Sequence, residues 1–322
     1  MPTTPSLTRG YTIAFISAIF LSTTAIFIRH LTQAYQVPAL VLAFWRAFFV
    51  VLTLVLALGM LRPGLLRVPR RNLPYLLAYG AVLAVFNSLW TLSVALNGAA
   101  VATVLAYSSA AFTALLGWWL LKERLDWVKA LAVALSLTGC VLVSGAADPS
   151  AWSGNLGGIL TGVLTGLGYA VYSLMGRSAS QRGLNPWSTL LYTFGFGMLF
   201  LLAFNLLPGG FVPGAAAAPA EILWLGDRWS GWGWLILLAA GPTVAGFGLY
   251  NVSMVDLPSS IANLIATSEP VFTAVIAYLL LGERLTGIQI GGAALILLGV
   301  FFLKVYEGRR KAGEAPGALA VE

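Results

Sequence analysis

The sequence predicts an all-α integral membrane protein, with ten transmembrane helices arranged as two inverted five-helix repeats. Three observations predict it: a scarcity of charge, an alternation of basic and non-basic loops, and an internal duplication. Of the 322 residues, 59% are hydrophobic and only 9% charged, against about 25% charged in a soluble globular chain. A surface that poor in charge faces hydrocarbon, whose core of about 30 Å needs roughly 20 apolar residues per crossing helix. Ten such helices use nearly the whole chain and leave no room for a soluble domain. The apolar runs are continuous and rich in Leu and Ala, which excludes a β-barrel, whose strands alternate over segments of about ten residues.

The apolar runs, bounded by charge, Pro or Gly, place spans at 11–30, 37–60, 73–95, 98–121 and 126–145. Five more follow at 156–175, 186–207, 231–254, 258–281 and 285–306. The first run is too long for the apolar region of a signal peptide and has no small-residue cleavage site after it, so it reads as a span. The eighth is interrupted by Pro242 and several glycines. The segment 208–229, with Pro208, Gly209, Gly210, Pro213 and Pro219, reads as the longest loop, and an interfacial helix is expected around Trp224 to Trp229. Domain boundaries are expected at 1–148 and 149–307, followed by a disordered polar tail over 308–322.

Loop charge sets the orientation. With the N-terminus in the cytoplasm, fourteen Lys and Arg residues fall in cytoplasmic loops or tails, and only Arg29, Arg228 and Arg284 fall outside. That bias fits an inner-membrane protein with both termini cytoplasmic, and a missed helix would destroy it downstream. In this setting the net charge of +7 orients helices rather than binding nucleic acid.

Residues 100–143 align without gaps on 260–303, with about 15 of 44 positions identical. The stretch Ala110 to Ala114 followed by Leu-Leu-Lys-Glu-Arg-Leu125 matches Pro270 to Ala274 followed by Leu-Leu-Gly-Glu-Arg-Leu285. Five helices per copy is an odd number, so the second copy inserts upside down, an arrangement typical of alternating-access carriers.

The ten spans, the duplicated halves, the aromatic-Thr-Ala stretch running into Leu-Leu-x-Glu-Arg-Leu, and Gly139 with Gly299 in the helix that follows each copy resemble EamA-type permeases of the drug/metabolite transporter superfamily. The resemblance covers residues 10–306. It implies a central cavity between helices one to four and six to nine, and export of amino acids or other metabolites.

Two ionisable residues lie deep in the predicted spans. Arg46 is about eight residues into the second span from outside, roughly 12 Å deep, and Glu269 about eleven residues into the ninth from inside, roughly 16 Å deep. A buried charge costs at least about 2.5 kcal/mol on insertion scales, so each needs a reason. One reading puts both on a cavity, with Arg46 holding a substrate carboxylate and Glu269 an ammonium group or a coupling proton. The other pairs them with each other, or lets Arg46 snorkel and Glu269 tie down backbone beside Pro270. Pro242 and Pro270 each remove a backbone donor, which fits a hinge or a binding break. Asn87, Trp90, Tyr107, Tyr250, Asn251 and Asn263, with Tyr169, Tyr172 and Tyr192, suit either cavity walls or hydrogen-bonded glue between helices. The Glu123-Arg124 and Glu283-Arg284 pairs read as turn chemistry at helix ends.

These features predict a secondary carrier whose partners are a small-molecule solute, membrane lipid and, for coupling, protons. No nucleic acid is expected, and a homodimer is left open. A non-transporting receptor or assembly factor and a flippase of lipids or other amphiphiles are the alternatives. One histidine (His30), one cysteine (Cys140) and two deep charges argue against an enzyme, a metal site or a cofactor. No phosphate-binding loop of the GxxxxGK[ST] type supplies self-contained ATP drive.

Overall fold

The computed structural model describes residues 6–143, 146, 148–152, 156–207, 212–281 and 286–314. These residues form an all-helical bundle, with no strand among them. In the first half, α1 (Leu7–Leu21), α2 (Thr24–Ala34), α3 (Ala39–Leu61), α4 (Leu73–Tyr107), α5 (Ser109–Leu121) and α6 (Trp127–Val143) follow in order. The second half contains α7 (Leu156–Gln181), α8 (Pro186–Leu206), α9 (Trp229–Leu238), α10 (Val244–Asp256), α11 (Ser259–Ala266), α12 (Glu269–Leu281) and α13 (Gly287–Glu314).

Helix starts follow local chemistry. The Ser6 hydroxyl caps α1 by accepting from the Arg9 N–H. Asn185 caps α8, accepting from the Trp187 N–H at 2.9 Å, with Pro186 at the first helical position where its missing donor costs nothing. The eighth expected span is the α9–α10 rod, in which Pro242 sits in a single π-helical turn, Ala239–Thr243. Thr243 Oγ1 donates to the Leu238 carbonyl at 2.8 Å there, so one widened turn absorbs the proline without breaking the rod.

Eight stretches are long and apolar enough to cross a membrane, counting α1–α2 and α9–α10 as one each and dividing α4 between 70–97 and 101–121, the second continuing through α5. The chain is therefore a multi-pass membrane protein. α6 supplies a shorter apolar segment, Trp127–Leu142, and α11 and α12 are shorter than a full crossing.

Three boundaries differ from the expected ones. The boundary between the third and fourth spans has no separate loop element: α4 is helical from Leu73 to Tyr107, yet the chain reverses within it, since Ser93 and Leu105 both lie against Gly162 of α7. A further interruption, inside the fourth span, comes at Ser108. Helix α13 continues to Glu314, past the expected end at 307. Around Trp224, a 3-10 turn, Pro219–Leu223, and hydrogen-bonded turns over 224–227 lead into α9 at Trp229 in place of an interfacial helix. Residues 208–211 and the Glu283-Arg284 pair lie outside the described residues.

Pro270 occupies the first turn of α12 rather than a helix interior, because the helix has already broken at Thr267 and Ser268. Ser108 and Ser268 are aligned positions of the two sequence copies, so the break recurs in each half.

Helix α4 packs against α7 and α8, α1 against α10, α5 against α7 and α11, and α6 against α13. Glycine permits the closest approaches. A Cβ at Gly139 of α6 would lie 2.6 Å from the Gly292 carbonyl oxygen of α13. A Cβ at Gly166 of α7 would lie 2.2 Å from Ser108 Oγ and 3.0 Å from the Leu105 carbonyl. Membrane helices associate through this small-residue packing, since lipid offers no hydrophobic drive between them.

Candidate functional site

Three helix interruptions meet around one internal cavity. The first is at Ser22 and Thr23 between α1 and α2, the second at Ser108, the third at Thr267 and Ser268. At each, hydroxyls turn back onto carbonyls three residues earlier. Ser22 Oγ donates to Ile19 O, Ser108 Oγ to Leu105 O, and Ser268 Oγ to Ile265 O, at 2.6, 2.6 and 2.7 Å. Such local bonds compete with the helical ladder and supply partners for groups it no longer pairs. Thr273 Oγ1 from α12 takes the Ser22 carbonyl at 2.9 Å, tying the first break to the third. Irregular backbone at membrane depth persists where it lines a cavity.

The cavity, of about 60 Å³, is lined by both deep charges, Arg46 and Glu269, and by Asn87, Trp90 and Tyr107. Arg46 is 1% exposed. Its Nη2 donates to Asn87 Oδ1 at 2.5 Å, and Asn87 is itself fixed in α4, where its carbonyl accepts from Thr91 Oγ1 at 2.8 Å. Arg46 Nε and Asn87 Nδ2 are buried without an acceptor, and Thr24 Oγ1 is likewise unpartnered. One wall is thus rich in donors and short of acceptors. On the facing wall the Glu269 carboxylate lies beside the Tyr107 side chain.

No ion pair joins Arg46 to Glu269; one salt bridge elsewhere links Arg9 to Asp256 at 3.7 Å. The direct pairing that the sequence left open is not formed, nor does Arg46 snorkel outward. Aromatic rings close the remaining sides. Phe86 stacks on Tyr169 with centroids 5.2 Å apart, and Phe247 lies edge-on to Tyr172.

Tyr250, Asn251 and Asn263 sit elsewhere. They belong to a buried polar layer beside the cavity that joins α5, α7, α10 and α11. Ser173 Oγ and the Tyr250 hydroxyl share a bond of 2.7 Å. Asn263 Nδ2 donates to Ser173 Oγ at 3.2 Å, and Ser109 Oγ donates to Asn263 Oδ1 at 2.9 Å. Asn251 Nδ2 reaches the Tyr172 hydroxyl at 3.4 Å. Tyr192 is farther off, donating to the Leu66 carbonyl at 2.9 Å.

Sequence reasoning missed Thr24, Phe86, Phe247 and Thr273 as cavity residues. The two phenylalanines look like any other apolar membrane residue. The threonines carry a usable signal: Thr24 closes the run Ser22-Thr23-Thr24, and Thr273 is one turn beyond Glu269.

Comparison with known proteins decides the family. The model of the EamA-like transporter family matches twice in tandem, over residues 8–145 and 156–305. The chain belongs to the EamA-like transporter family. An uncharacterized transporter of Archaeoglobus fulgidus is 28% identical over 289 residues, covering 88% of this chain and 92% of that one. The protein named a probable amino-acid metabolite efflux pump in Salmonella typhimurium is 26% identical over 243 residues, covering 72% and 77%. A solved crystal structure superimposes with a TM-score of 0.73 at 18% identity, covering 94% of this chain and 99% of that one, which shows a shared fold. EamA-like membership makes the chain a membrane transporter, with a small-molecule solute and surrounding lipid as its partners.

Proposed function

We propose that this transporter is a secondary-active exporter of amino-acid-like solutes, working by alternating access in the inner membrane with both termini in the cytoplasm. The observation that carries the reading is the cavity bearing an unpaired guanidinium wall and a separate carboxylate. A zwitterion fits that division of charge. Its carboxylate would accept from Arg46 Nε and Asn87 Nδ2, the donors left without partners. Its ammonium group, or a proton, would go to Glu269 beside Tyr107. A guanidinium presents several donors in a planar fork, which matches a carboxylate better than a point charge does.

Ten spans in two inverted repeats are part of the same proposal. The tandem family match supports the duplication, as do the aligned breaks at Ser108 and Ser268. The packing supports the inversion. In that scheme α4 against α7 joins the third and sixth spans, and α1 against α10 joins their counterparts, the first and eighth. The cavity of about 60 Å³ is far below the roughly 300–1,000 Å³ of sites that hold drug-sized ligands. That volume has room for water-sized molecules, and a solute requires its walls to move apart.

The test is a thermal-shift screen of purified protein against metabolites at two pH values. A ligand at 100 times its Kd stabilises the fold by about 2.7 kcal/mol. Stabilisation by amino acids, lost in Arg46→Ala, is the expected result. Stabilisation only by lipids would overturn the reading.

A further inference from the structure

Glu123 lies outside the cavity, yet it binds two consecutive residues of another helix through both carboxylate oxygens. Oε1 accepts from the Ser259 N–H at 2.8 Å and the Ser259 hydroxyl at 2.6 Å. Oε2 accepts from the Ser260 N–H at 3.2 Å and from the Ser260 hydroxyl. A helix start leaves its first N–H groups without intrahelical partners. The residue at the cap of α11 is Pro258, which has no side-chain acceptor. Glu123 therefore caps α11 from the other half of the chain, and its negative charge sits at the positive end of the helix dipole.

Local backbone aims this side chain. Helix α5 ends at Lys122 in the left-handed conformation, φ +53°, and the Glu123 N–H turns back to the Gly117 carbonyl at 3.0 Å. Gly117 leaves the room required: a Cβ there would lie 2.9 Å from Glu123 Oε2. Lys129 Nζ adds a bond to Ser260 Oγ at 3.2 Å and one to the Arg124 carbonyl at 2.5 Å. At mid-depth the same two helices are joined again by Ser109 and Asn263.

Both helices are short rods, 13 and 8 residues, that run from the cavity to one face. Each is uncoupled at its cavity end, by the Ser108 break for α5 and the Thr267–Ser268 break for α11. At their far ends the Glu123 carboxylate makes four bonds to α11, which one side-chain rotation removes together, leaving the Lys129 bridge from Ser260 to the Arg124 carbonyl.

We infer that Glu123 is a positioning residue of the transport cycle. It latches α5 to α11, shuts the route between the cavity and this face, and must release α11 for that route to open. The inference rests on the carrier reading for its purpose, and its test needs no solute.

The experiment uses the full chain in nanodiscs with Cys140→Ala and one new cysteine. Ala114→Cys places the thiol in the buried apolar cluster that includes Ile261 and Ile265 of α11. Ser136→Cys places a control thiol where α6 meets Gly299 of α13. The probe is a charged, water-soluble methanethiosulfonate. Glu123→Ala is expected to raise the labelling rate at position 114 at least tenfold and leave position 136 within twofold. Gly117→Ala, which crowds the carboxylate, and Ser260→Ala, which removes one bond, should raise it by smaller factors. If Glu123→Ala is not monodisperse, those two milder variants carry the test. Unchanged labelling at 114 in folded variants, or equal acceleration at 114 and 136, would overturn the latch. A solute screen that finds nothing would count against the carrier reading and leave this result standing.

Discussion

At the scale of single residues, the site turns on two charges that sequence could place in depth but not in relation to each other. Helical rise alone put Arg46 and Glu269 near the same level. Whether they paired depended on which way each helix turned, and packing decides that. The structure separates them across a cavity, Arg46 with Asn87 and Glu269 with Tyr107. Arg46→Ala should therefore weaken solutes that carry a carboxylate and spare those that do not. A hydrogen bond to a charged group is worth about 1.5–3 kcal/mol, so the apparent affinity for acids should fall by about 10- to 100-fold. Transport KM for matched acid and amide solutes checks this, and an equal loss for both would assign Arg46 a structural role. Asn87, Trp90 and Tyr107, which line the cavity, stood out in the sequence as polar or amphipathic side chains in an apolar span. Tyr250, Asn251 and Asn263 stand out for the same reason. They serve a neighbouring hydrogen-bonded layer, and composition does not distinguish the two uses.

At the scale of elements, most helices were legible from apolar run length, and the breaks inside them were not. Prolines drew attention to 242 and 270, where the chain is accommodated by a π turn and by a helix start. The interruptions that shape the cavity carry adjacent hydroxyl residues instead: Ser22-Thr23, Ser108-Ser109 and Thr267-Ser268. Back-bonding to the preceding turn explains why such pairs loosen a helix in a medium without water. The third and fourth spans remain two stretches long enough to cross, 70–97 and 101–121, and the reversal between them shows in Ser93 and Leu105 meeting at Gly162. Close packing of α6 on α13 yields a stability prediction. In Gly139→Ala the new Cβ meets a backbone oxygen at 2.6 Å, an atom that cannot swing aside as a side chain would. Overpacking of this kind costs about 1–3 kcal/mol, to be read as a fall in Tm of the purified protein, with solute specificity unchanged.

At the scale of the whole molecule, the duplication was the strongest signal in the sequence, and the tandem family match agrees with it. Contacts between the halves could not be read from either copy alone. The rods α5 and α11, one from each half, meet beside the cavity and are joined at their far ends through Glu123. The carrier proposed here thus has a charged, contracted centre and one route sealed by polar contacts, which is what alternating access requires of one of its states. The proposed carrier couples a proton at Glu269 to movement of a solute. The direct measurement is flux of labelled amino acids in proteoliposomes, driven by a pH gradient and, separately, by counterflow without one. The wild-type protein should show both, and Glu269→Gln should lose the gradient-driven flux while keeping counterflow. Full gradient-driven flux in Glu269→Gln would rule out proton coupling at Glu269.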